Sequence, residues 1–363
     1  MQKNTKIAIV VAVAAILVGT GVTVGYVLSS PGNPCGSTAS QSGLTVPFPL
    51  TTVSTSPARL TTASVSSTGG TPSTIPSALD AGVPDEVINV VAAENFWGSL
   101  VSQIGGTHVN VTSIVTNPNT DPHVYQANDS DARAIAAAQY VIVNNVGYDT
   151  WATNLIAADG VSNQTILNVG DSLGVYVTGG IVTGNPHLWY NPAYVNQTVA
   201  WMFHNLTTIA PGLTGYFTDQ YDNLTASLGS LYSRATQIKE QFHGTEVAST
   251  ESIFVYLANA TDLDLVSPPA FMEAVAADND PPDASVVEFQ CQLESGNVKV
   301  LVYNAQTVTP LTTSMKTIAA EHNVTVIAVT ETIQPPNVSF QDWMMGELDE
   351  LQNALNADAL GEG

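Results

Sequence analysis

Basic residues are the scarcest feature of this chain: eight Lys and Arg stand against 31 Asp and Glu in 363 residues, a net charge of -23. Charged residues of all kinds make up 11%, where about 25% is usual for a soluble domain. The acidity therefore reflects missing bases. Arg59, Arg133, Arg234, Lys239, Lys299 and Lys316 are scattered, so no cationic stripe offers itself to a phosphate backbone and nucleic acid is excluded as a partner. A surface poor in ionisable groups and rich in Ser, Thr and Asn suits an acidic exterior, where carboxylates take up protons. Cysteine is nearly absent as well. Cys35 and Cys291 lie far apart in regions of different character, so a disulfide framework is not indicated and neither reads as a metal ligand. Cys35 follows an apolar run, yet Gly32-Asn33-Pro34 before it is a poor match to the sequence that lipid attachment needs.

Long apolar runs are limited to one. Lys3 and Lys6 precede an uncharged stretch from Ile7 to Leu28, about 33 Å long as a helix and enough to cross a hydrocarbon core of about 30 Å. A secretory signal has a shorter apolar region of about 7 to 15 residues, so residues 1–28 read as an uncleaved transmembrane anchor, with a cleaved signal as the alternative. The lysines stay on the cytoplasmic side and the rest lies outside. Residues 29–82 are a linker of Ser, Thr, Pro and Gly, unable to bury enough apolar surface to order itself, and read as a disordered stalk. Glycosylation sequons at Asn110, Asn128, Asn163, Asn196, Asn205, Asn223, Asn259, Asn323 and Asn337 fit an exterior protein.

From residue 83 onward, short apolar runs alternate with helical patterns, which predicts an α/β fold of parallel-sheet units. An N-terminal lobe spans 83–212, with strands at Val87–Ala92, Val109–Val115, Tyr140–Val146 and Thr165–Val169 and helices near Asn95–Ile104, Ser130–Ala138 and Thr150–Ala157. A C-terminal lobe spans 244–358, with strands at Glu246–Ser249, Val298–Tyr303 and Thr325–Val329 and helices near Ile253–Asn259, Thr309–Glu321 and Phe340–Leu355. Between them, Phe217, Tyr221, Leu224, Leu228, Leu231, Ala235, Ile238 and Phe242 recur at spacings of four and three, the apolar stripe of one long rigid helix over 213–243. A spine of about 40 Å limits hinge closure.

Two of the six histidines sit in nearly repeated settings, Asp121-Pro122-His123 and Asn185-Pro186-His187, each after an apolar, strand-like run. Proline fixes its own φ and holds its predecessor extended, so the imidazole that follows is presented on a defined turn. Loops at strand ends of an open α/β sheet face the ligand crevice. Glu251 and Glu331 follow strands of the second lobe at equivalent places. Two imidazoles and two carboxylates, a pair from each lobe, suit a four-coordinate metal site in the cleft.

Over about Val87 to Leu355 the chain resembles the metal-specific substrate-binding proteins of zinc, manganese and iron ABC importers. The resemblance is carried by Val90-Val91-Ala92-Ala93-Glu94-Asn95-Phe96-Trp97-Gly98, Ile104-Gly105-Gly106, Asp121-Pro122-His123-Val124-Tyr125-Gln126 and Asn185-Pro186-His187-Leu188-Trp189-Tyr190-Asn191-Pro192. It implies two lobes on one long helix, a small conformational change on binding, and delivery to the permease of a metal importer. His123 and His187 match the family's histidine motifs, although the second normally ends in Asp-Pro. Glu251 has the spacing of the third ligand, which is His in many zinc binders and Glu in manganese types, and Glu331 stands where most members carry Asp. Zn(II) and Mn(II) are equally served by this set, with Fe(II) third. The His-rich acidic loop of many zinc binders is absent.

The expected role is binding without catalysis by a monomer. The alternatives are a metallohydrolase, which needs an open coordination position and a base, and a surface adhesin stabilised by its metal. H-E-x-x-H is absent, and no Ser or Cys nucleophile motif such as G-x-S-x-G is read in the chain. His108, His204, His243 and His322 read as surface or core residues, the five tryptophans as packing, and Glu94 as a helix-dipole partner, with support of the cleft as its second role.

Overall fold

The computed structural model describes Cys35 and residues 87–361, apart from 121, 160–162, 176, 179–180 and 183. The expected anchor and linker, residues 1–82, lie outside this set except for Cys35. Among the described residues no helix is long and apolar enough to cross a membrane.

The first sheet is parallel and four-stranded, in the order β2-β1-β3-β4: β1 is Ile88–Glu94, β2 Val109–Val115, β3 Tyr140–Val143 and β4 Thr165–Asn168. Helices α1 (Asn95–Gly105), α2 (Asp129–Ala137), α3 (Thr150–Asp159) and α4 (Val169–Leu173) connect and extend these strands. The β1 run is buried at six of its seven positions, the continuous apolar pattern of a strand covered on both faces. At the end of α1, Gly106 has φ +52°, and a Cβ there would meet the Tyr216 hydroxyl at 2.1 Å, so the Gly105-Gly106 pair answers both a backbone and a packing demand. An antiparallel hairpin, β5 (Val177–Thr178) and β6 (Ile181–Val182), follows.

Helix α5 (Pro192–Ile209) starts where Asn191 accepts hydrogen bonds from Ala193 N–H at 3.0 Å and Tyr194 N–H at 3.4 Å, with Pro192 in the first turn. Asn caps as well as Asp does, so the departure from Asp-Pro costs the helix nothing. The long helix α6 is Thr214–Phe242, 29 residues. It buries Phe217, Leu224, Leu228, Leu231, Ala235 and Ile238 of the predicted stripe, while Tyr221 and Phe242 are partly buried.

The second sheet repeats the plan, in the order β10-β9-β7-β8, all parallel, with β7 at Glu246–Ser249, β8 at Asp264–Leu265, β9 at Val300–Asn304 and β10 at Thr325–Val329. Helices α7 (Val255–Thr261), α8 (Pro269–Ala276), α9 (Asp283–Glu294), α10 (Pro310–Glu321) and α11 (Phe340–Gly361) surround it. Thr309 caps α10 through Thr312 N–H at 3.1 Å. One apolar core runs from Ile88 and Phe96 of the first lobe through Leu228 and Ile238 of α6 to Val300 and Leu348 of the second.

One expectation needs correction. Neither cysteine is free: Cys35 and Cys291 are each disulfide-bonded. A sulfur in a disulfide has no thiol on which to carry a lipid.

Candidate metal centre

All four predicted residues lie on loops at one edge of the two sheets. His123 sits in the connection after β2, Glu251 two residues beyond β7 and Glu331 two beyond β10. His187 departs from the expected plan: the run before it is the β5–β6 hairpin, not a strand of the parallel sheet.

A ring nitrogen of His123, a ring nitrogen of His187 and a carboxylate oxygen of Glu331 all lie within 4.8 Å of one another. His123 Nε2 is 3.5 Å from Glu331 Oε2, and His187 Nε2 is 3.8 Å from Glu251 Oε1. Glu251 thus approaches through His187 and stands outside the tight trio. His187, Glu251 and Glu331 are fully buried and His123 is 15% exposed.

Hydrogen bonds fix how each group faces inward. Asn185 Oδ1 accepts from His187 Nδ1 at 2.7 Å and from His187 N–H at 3.0 Å, while Asn185 Nδ2 donates across the cleft to Ser252 O at 2.6 Å. With the proton on Nδ1, the lone pair is on Nε2, which has no hydrogen-bond partner. Burial, then the neighbouring His123, holds the His187 pKa well below its ordinary value. That ring stays neutral and ready to donate electrons.

Glu331 Oε2 accepts from the Tyr148 hydroxyl at 2.7 Å, and its Oε1 accepts from Asn304 Nδ2 and from Thr307 Oγ1, the latter at 3.2 Å. Gln306 Oε1 accepts from Glu331 N–H at 2.8 Å while its Nε2 donates to Thr120 O at 2.9 Å, tying the Glu331 loop to the His123 loop.

Tyr148 reaches the site from a strained turn. Asn145, Val146 and Gly147 all have positive φ, at 62°, 57° and 81°, and a β-branched residue in that region is an outlier that its surroundings must hold in place. Asp149 does so by accepting from Asn144 N–H and Asn145 N–H, both at 2.6 Å. Asn144 in turn donates to Pro186 O at 2.8 Å, behind His187, and accepts from Trp97 Nε1 at 3.2 Å.

Glu94 lies in the same buried layer, and its predicted role changes. Burial, with Asp149 nearby as the second cause, raises its pKa well above normal, so it is a neutral acid and no anionic partner for the α1 dipole. Burial also lifts Asp149 to about 6.

A scan of the whole chain with family models matches residues 90–354 to the zinc-uptake complex component A, periplasmic. The chain belongs to that family. The manganese-binding lipoprotein MntA of Bacillus subtilis is 27% identical over 110 residues, a stretch that covers 30% of this chain and 35% of MntA. Among solved structures, the periplasmic zinc binding protein TroA from Treponema pallidum matches with a TM-score of 0.64 and 14% identity, covering 74% of this chain and 99% of TroA. The SBP FpvC from Pseudomonas aeruginosa, in complex with Mn2+, matches with a TM-score of 0.61 and 18% identity, covering 74% of this chain and 98% of FpvC. These structures share the two-lobed fold.

Within this zinc-uptake component family, the longer Glu331 side chain of this member is held by Tyr148, Asn304 and Thr307. Those partners, together with Gln306 and Asp149, escaped sequence reading. Asn185 was within reach, since it stands in the same turn as His187. The reading that G-x-S-x-G is missing needs correction, since Gly170-Asp171-Ser172-Leu173-Gly174 matches its letters. Ser172 is exposed within the short α4 helix instead of standing on the sharp strand-to-helix turn that such a nucleophile needs.

Proposed function

We propose that this chain is an extracytoplasmic solute-binding protein that takes one divalent transition metal ion between its lobes and delivers it to an ABC permease. His123 and His187 supply imidazole nitrogens from one lobe, and Glu251 and Glu331 supply carboxylate oxygens from the other. The convergence of His123, His187 and Glu331 within 4.8 Å carries this reading. The ion is cargo, and no bond is made or broken.

Burial favours capture over catalysis. Three of the four groups are fully enclosed, and a hydrolase needs an open coordination position beside room for its substrate. Residues 1–28 as a membrane anchor, residues 29–82 as a spacer and a monomeric chain complete the proposal. A periplasmic component of an uptake complex, as the family is described, implies a membrane partner.

The test is metal content and competitive titration with Zn(II), Mn(II) and Fe(II) for wild type, His123→Ala and His187→Ala. One tightly held ion per chain, lost in both variants, supports the site. Binding untouched by either substitution sends the search to another solute.

A further inference from the structure

The two carboxylates of the proposed ligand set share one amide. Asn304, the last residue of β9, turns its Oδ1 toward Gln306 N–H at 2.9 Å, which decides the orientation of the amide. Its two N–H bonds then serve three acceptors, Glu331 Oε1, Thr307 Oγ1 at 3.1 Å and Glu251 Oε1 at 3.2 Å. Each of the two carboxylate oxygens receives a second donor. Thr307 Oγ1 donates to Glu331 Oε1 at 3.2 Å, and Ile253 N–H to Glu251 Oε1 at 3.1 Å.

An ionised carboxyl group offers about four lone-pair sites, two to each oxygen. Both sites on Glu331 Oε1 are therefore taken by the protein, and that carboxylate has one oxygen for an ion, while Glu251 Oε1 shares its amide donor with Thr307 and faces His187 Nε2 at 3.8 Å. On Glu331 that oxygen is Oε2, which faces His123 and carries a single bond from Tyr148. As residue types alone, two histidines and two glutamates could offer up to four carboxylate oxygens. The hydrogen bonds on Glu331 remove one of them.

We infer that Asn304 is a specificity-determining residue: by occupying Oε1 of Glu331 it confines that carboxylate to one donor oxygen, which favours zinc over manganese. The inference rests on the metal-binding reading above. Zn(II) accepts four-coordinate tetrahedral geometry with no preference from its d electrons, whereas oxygen-rich octahedral surroundings suit Mn(II). Freeing an Oε1 lets a carboxylate bind through both oxygens, which helps the larger coordination number more than the smaller.

The experiment compares the full chain as wild type, Asn304→Ala and Thr307→Val in competitive Zn(II) and Mn(II) titrations, with X-ray absorption of the zinc-loaded wild type. Zinc with four nitrogen and oxygen neighbours is expected, together with a zinc-to-manganese affinity ratio that narrows about tenfold in Asn304→Ala and by less in Thr307→Val. Thr307→Val keeps its shape and carries the test alone if Asn304→Ala does not fold. Five- or six-coordinate zinc in the wild type, or an unmoved ratio in variants that still hold one ion, overturns the role of Asn304 and leaves the metal site standing. A wild type that holds no ion overturns both.

Discussion

The Tyr190 hydroxyl lies 2.7 Å from Glu347 Oε2 and 2.9 Å from Thr330 O, so a single hydrogen faces two acceptors across the lobes. The conflict is resolved when Glu347 carries a proton of its own. Burial raises its pKa to about 8, against the lowering effect of bonds from Tyr190, Thr330 and Trp343. A carboxyl group whose folded pKa is raised stabilises the fold most below its unfolded value of about 4.5, and that contribution falls as pH rises to about 8.

Glu347→Gln mimics the protonated acid, with its amide donating to Tyr190 and its oxygen accepting from Thr330. The variant should match wild type in urea unfolding at pH 5. Its advantage should grow by up to about 1.4 kcal/mol per pH unit toward pH 8. Parallel pH profiles would reject a protonated Glu347.

Glu94 and Asp149 act in the same sense, since burial raises both. His187 opposes them, because its lowered pKa contributes stability present above about 6.5 and lost as pH falls. With three carboxyl groups against one imidazole, the metal-free protein should melt at a higher temperature at pH 5 than at pH 8. A melting temperature that falls toward pH 5 would contradict this balance and with it the suitability for an acidic exterior.

Metal affinity should resist acid better than two free imidazoles allow. Two rings of ordinary pKa lose affinity about a hundredfold per pH unit once both are protonated. His187 is held neutral, so zinc titrations between pH 6.5 and 5.5 should show a shallower fall. A fall of about thirtyfold across that range, as for two free rings of pKa about 6.5, would mean that His187 titrates like a free ring.

Asn185→Ala removes the acceptor that sets the His187 tautomer and the bond to Ser252 O. Affinity for the ion should drop about 10- to 100-fold, read by competition with a chelator. Unchanged affinity would show that packing alone orients the ring.

Asp149→Ala strips the acceptor from two backbone N–H groups of the turn that carries Tyr148. A loss of about 2–4 kcal/mol in urea unfolding is expected. Glu94→Gln, which replaces a neutral acid by a neutral amide, should cost less than about 1 kcal/mol. Equal losses would place Glu94 on a par with Asp149.

Much of the architecture was legible because it is periodic. The β2, β7 and β10 strands were read to the residue, and the α6 stripe to within one residue at either end. The segments missed were the helices α4, α5, α8 and α9 and the strands β5, β6 and β8, each of these strands two residues long. The candidate ligands announced themselves through their Pro-His turns and strand-end carboxylates. Asn304, Thr307 and Tyr148 did not. An amide or hydroxyl gains its meaning from the group opposite, and Tyr148 and Glu331 are 183 positions apart in the chain.

The core that passes through α6 has a consequence for how the molecule comes apart. Leu228 and Ile238 belong to the same apolar cluster as Phe96 on one side and Leu348 on the other, so neither lobe can expose its interior while the other keeps its own intact. Heating should produce one calorimetric peak whose enthalpy equals the van't Hoff value, as for a single domain. Two lobes in shape are one unit in unfolding.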